Sequence, residues 1–121
     1  MQRDPQLVEF SREHYSALKL AKTLRHTTAE TFSAHHKLLT QMMAELETHF
    51  QEEELLLIPQ LAQFTETALI ARLQQEHQQL RHLHENANDY RILVQFGELL
   101  FAHVRFEERV LFTALQQHWA H

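Results

Sequence analysis

The chain has no cysteine, a single glycine and two prolines. Without cysteine there is no disulfide, no thiolate nucleophile and no cysteine-based zinc or iron–sulfur site. Sheet folds need many turns, and turns recruit glycine and proline. Their scarcity therefore points to long helices and short connections. No apolar run approaches the length of a membrane span. The opening MQRDPQLVEF lacks the apolar stretch of an export signal, so a cytoplasmic location is expected. The 11 Lys and Arg are scattered and the formal charge is −5. Phosphate neutralisation needs a concentrated basic face, so nucleic acid is not expected as a main partner. What the chain does have is 44% apolar residues and 11 histidines. Its 121 residues suit one domain with one core, here residues 1–121.

Four amphipathic stripes follow the 3.6-residue period. Asp4–Pro5 offers a cap and a first-turn proline. Leu7, Phe10, His14, Leu18 and Ala21 then share a face. The second stripe is Leu39, Met43, Leu46, Phe50, Glu53 and Leu57, with Pro59 expected to kink or end it. Threonines in FTET, 64–67, offer caps for the third, which runs Ile70, Leu73, His77, Leu80, His84 and Ala87. The fourth is Ile92, Phe96, Leu99, His103, Phe106, Val110 and Ala114. Polar breaks at 26–33, 64–67 and 85–90 separate them. The expected fold is all-α, an up-down-up-down antiparallel four-helix bundle.

Polar residues interrupt these apolar faces. His14, His49, Glu53, His77, His103 and Glu107 all point inward on this reading. Burying an ionised carboxylate is costly unless it is paired or bound to metal. If the six meet at one level, each connection must lie midway between successive sites, because helices rise equally per residue. Taking 51 and 105 as centres of the two His–Glu pairs, the midpoints fall at 32.5, 64 and 91. All three lie in or next to a break.

An internal repeat strengthens the single layer. Offset by 54, His49, Glu53, Glu54, Leu57 and Leu61 match His103, Glu107, Glu108, Leu111 and Leu115. Offset by 63, Glu13–His14 matches Glu76–His77. Residues i and i+4 lie one turn apart on one helix face, so each His-x-x-x-Glu can approach a metal together or reach two ions. Four imidazoles and two carboxylates suit iron, zinc or manganese. Six donors around two ions favour a redox pair such as iron over a closed zinc site. Glu52, Glu54 and Glu108 are expected to face solvent or surround the metal. His26, His35, His36, His82, His118 and His121 read as surface residues. The alternatives are a metal-free bundle or a structural zinc protein.

His14 in REHYSAL, HFQEEELLLIP, His77 in QEHQQL and HVRFEERVLF resemble the hemerythrin-like, or HHE cation-binding, domains over about residues 7–118. The resemblance implies a bundle holding a non-haem, oxo- or hydroxo-bridged pair of iron ions. It implies binding of O2, peroxide or nitric oxide, or iron and oxygen sensing. It makes His14, His49, Glu53, His77, His103 and Glu107 the ligands, with the glutamates bridging. Oxygen-carrying members would have histidine at 81, where this chain has Arg81, which cannot ligate. His84 lies about 10 Å along the axis from His77, a poor substitute. Arg81 suits an anion, a carboxylate or an ordinary ion pair. Ferritin-like bundles use Glu-x-x-His instead and fit less well. No nucleophile–base pair stands out, so any turnover would be metal chemistry. A sensor reading is also open, in which LLLIP and VLF form an apolar patch for a protein partner or a second copy.

Overall fold

The computed structural model describes residues 2–121. Helices α1 (Pro5–Arg25), α2 (Phe32–Gln63) and α3 (Thr67–Glu85) are three rods of an antiparallel bundle. The fourth rod is α4 (Tyr90–Phe106), a π-helical turn (Glu107–Leu111) and α5 (Phe112–Trp119). Among the described residues there is no strand, and no helix is long and apolar enough to cross a membrane. The connections, 26–31, 64–66 and 86–89, fall where the polar breaks lie.

Local chemistry accounts for the helix ends. Gln6 N donates to Asp4 Oδ1 at 2.8 Å, with Pro5 at the first position. Asp89 caps α4 in the same way, accepting from Arg91 N at 2.8 Å. The threonines of 64–67 do not cap α3, whose N-cap is Glu66 without a side-chain bond. Thr65 instead ends α2. Its φ of 58° is left-handed, Thr65 N donates to Ala62 O and Glu66 N donates to Leu61 O. This is the Schellman closure that usually takes glycine. A β-branched residue there is strained by about 1–2 kcal/mol. Thr65→Gly should therefore stabilise by about 0.5–1 kcal/mol, after glycine's greater freedom in the unfolded chain is subtracted. Urea unfolding checks this, and a lower midpoint would contradict it.

Pro59 neither ends α2 nor interrupts its burial pattern, since the helix runs on to Gln63. The carbonyl that loses its partner is that of Leu55, on the exposed side of the rod, where water can replace the bond.

The expected stripes hold at their centres, with Leu18, Ile70, His84, Ile92 and Leu99 only half-buried at the edges. The fourth stripe fails after Phe106. Val110 is 44% exposed and Ala114 half-buried, while Leu111, Phe112 and Leu115 are in the core. The π turn is the cause. Phe112 N–H donates to Glu107 O, five residues back, and the extra residue moves the inward register on by one.

The core is divided. One apolar cluster includes Leu20, Leu39, Leu46, Phe50, Leu80, Phe96 and Leu100. The other includes Leu7, Phe10, Leu57, Leu73, Leu111 and Phe112. The inward histidines and glutamates lie at the junction of the two clusters on every rod. Helices α1 and α4 pack closest at the only glycine. A Cβ on Gly97 would come within 2.7 Å of Arg25 N and 2.8 Å of Ala21 O. Of the suggested apolar patch, Leu55, Leu56 and Val110 are exposed, and Leu57, Leu111 and Phe112 are buried.

Candidate metal centre

His14 comes from α1, His49 and Glu53 from α2, His77 from α3, His103 from α4 and Glu107 from the π turn. All six are buried. Their donor atoms form two groups. His14, His49, Glu53 and Glu107 have donors within 4.8 Å of one another, and so do Glu53, His77, His103 and Glu107. Both groups contain both glutamates. His49 Nε2 lies 3.1 Å from Glu53 Oε2, and His77 Nε2 lies 3.0 Å from Glu53 Oε1. His103 Nε2 and His14 Nε2 lie 2.8 and 3.2 Å from Glu107 Oε1.

Each histidine is held from behind by another carboxylate. His14 Nδ1 meets Glu108 at 2.6 Å, His49 Nδ1 meets Glu13 at 3.0 Å, His77 Nδ1 meets Glu54 at 2.7 Å and His103 Nδ1 meets Glu76 at 2.7 Å. An ionised carboxylate only accepts, so the proton sits on Nδ1 and the Nε2 lone pair faces the centre. Glu54 and Glu108 thus surround the centre, while Glu52 is exposed. Glu13 and Glu76 were not picked out by the sequence reading, although the 63-residue repeat carried them. Phe112 stacks on the His14 ring at 5.7 Å and Phe50 on the His77 ring at 4.3 Å.

These lone pairs converge without compensation. His77 Nε2 and His103 Nε2 are 3.2 Å apart. Among the described residues, Glu107 Oε2 makes no hydrogen bond, and His49 Nε2 and Glu53 Oε2, though 3.1 Å apart, are not aligned for one. In the absence of a cation only protons can relieve this. Burial alone would pull the His14 imidazolium down, yet Glu107, Glu108 and Glu53 together push it up to about 11. Burial likewise opposes charge on His103, and Glu107 with Glu76 pushes it up to about 10. Burial would raise the Glu53 carboxyl, but Glu107, His14, His49 and His77 hold it well below the usual range. Four imidazoles and two carboxylates converging in a buried layer, with acceptors to spare, fit a metal cation.

The family model of the Hemerythrin HHE cation binding domain matches residues 7–115. The chain belongs to this hemerythrin family. No curated protein and no solved structure matches it.

In this hemerythrin domain Arg81 does not reach the centre. Its Nε donates to Glu47 at 2.9 Å and its guanidinium nitrogens donate to Glu54 at 3.0 and 3.3 Å. The guanidinium and His77 offset the burial that would raise the Glu54 carboxyl, and hold it low. His84 is half-buried beside Glu47 and Arg81, outside both donor groups. His82, His26 and His121 are exposed, and His35, His36 and His118 half-buried. With arginine at 81, the two donor groups are alike, each with two imidazoles and two shared carboxylates.

Proposed function

We propose that this chain is a non-haem diiron protein that binds O2, or a related small ligand such as peroxide or nitric oxide, inside its bundle. His14, His49, Glu53 and Glu107 would hold one iron. His77, His103, Glu53 and Glu107 would hold the other. The observation that carries this reading is that two tight donor groups share the same two buried carboxylates. A single ion would leave the acceptors of one group uncompensated, and buried acceptors without partners are costly. Four protein donors complete a structural zinc shell. The same four leave an iron ion positions for an exchangeable ligand.

When bound, an iron pair supplies electrons to, or takes them from, a small ligand. The chain's own residues do the rest. Glu13, Glu54, Glu76 and Glu108 fix the proton on each Nδ1, and Phe50 and Phe112 cover the rings against water. Protein expressed with added iron and kept in air should hold about two irons per chain. It should show the visible absorption of a bridged iron pair, and azide should shift the bands. Colourless protein with less than about one iron per chain would rule this reading out.

A further inference from the structure

Three corners of the centre share one construction. Arg3 bonds Glu108, the carboxylate behind His14, and lies over Phe112, which stacks on His14. Arg81 bonds Glu54, behind His77, and lies over Phe50, which stacks on His77. Arg72 bonds Glu76, behind His103, and lies over Phe106, which packs against His103. At each corner a guanidinium pins the carboxylate, and a phenyl ring supports the guanidinium.

The fourth corner lacks this brace. Glu13 meets His49 Nδ1 and, among the described residues, has no other hydrogen bond or ion pair. Its side chain is 39% exposed, against 28% for Glu108, 27% for Glu54 and 13% for Glu76. Solvent approaches at the same corner. A cavity of about 80 Å³ opens between α1 and α2, lined by Glu13, Ser16, Met42, Glu45 and His49 among others. That volume holds a few water molecules. Glu45 is exposed at its edge, and His49 is the one metal-centre residue among its lining.

We infer that this cavity is the port through which a divalent cation reaches the centre, with Glu13 as the positioning residue that lets His49 yield. The inference rests on the metal reading of the His/Glu layer. Glu45 and Glu13 attract a hydrated cation to the opening. Glu13 and Glu45 would receive the cation at the opening, and the His49 imidazole would take it inward. His49 can turn because nothing pins the group behind it. The three braced corners meanwhile keep the remaining donors in place.

Cobalt(II) added to apoprotein tests this, since its visible absorption reports binding without iron or oxygen. Ser16→Trp fills the cavity. Glu45→Arg places a guanidinium beside Glu13, imitating the other corners. Both positions are exposed, so the fold should survive either change. Each should slow cobalt uptake about tenfold with full final occupancy. Glu45→Gln, which removes charge without adding a brace, should slow it less than Glu45→Arg. Gln78→Trp, in the groove between α3 and α4, should load at the wild-type rate. Unchanged uptake in both Ser16→Trp and Glu45→Arg would overturn the port, as would equal slowing by Gln78→Trp. A wild-type chain that takes up no cobalt marks a different failure, that of the metal reading itself.

Discussion

Glu53→Gln should disable both donor groups at once. Glu53 is fully buried and belongs to both donor groups, within 3.1 Å of His49 and 3.0 Å of His77. The amide keeps the shape of the side chain but removes the charge that two cations would share. Metal content should fall from the proposed pair, about two ions per chain, to near zero. Glu52→Gln, one residue away and exposed, should change nothing. A metal present at about a thousandfold over its dissociation constant stabilises a fold by about 4 kcal/mol. Loss of that linkage at even one of the two groups should lower the melting temperature of the metal-supplemented protein by roughly 15 °C at this chain length. His49→Ala should do less, because it belongs to one group only. Elemental analysis of the three variants decides the matter. Full metal content in Glu53→Gln would show that the carboxylate is not shared.

Gly97→Ala should destabilise the bundle, against the ordinary trend for helices. Alanine in a helix interior is normally better than glycine by about 1 kcal/mol. Here the added methyl would press on Arg25 N and Ala21 O, both backbone atoms of α1 that cannot rotate aside. Overpacking of this kind costs about 3 kcal/mol, so a net loss of about 2 kcal/mol is expected. Separation of α1 from the fourth rod would also draw His14 away from Glu107 and Glu108. Guanidinium unfolding gives the sign directly, and a more stable variant would mean that the two rods have room to spare.

The depth of the polar layer was legible because it depends only on counting. Equal rise along antiparallel rods ties the connections to the positions of His14, the His49–Glu53 pair, His77 and the His103–Glu107 pair. The midpoint at 64 falls inside the connection 64–66, while 32.5 and 91 fall within about two residues past the connections 26–31 and 86–89. The π turn was not legible. Nothing in FEERVLF distinguishes five-residue from four-residue closure, and so Val110 was expected inside where Leu111 and Phe112 now pack. Thr65 was misread for a related reason. Threonine is a common cap, and its left-handed backbone follows from how α2 and α3 meet, not from its own preference. The roles of Glu13 and Glu76, named only through the repeat, were not legible because a glutamate beside a histidine looks like solvent-facing charge until the opposite helix is in place. Gly97 was counted as a rarity, but its use became visible only once α1 lay against it.

The partition of the interior into two oily ends has a mechanical consequence. Each end is held by its own nonpolar packing, whereas the waist between them depends on charge balance. Without a cation, such a rod should breathe at mid-length while its tips stay shut. Cation binding would then rivet two small globules into one cooperative body.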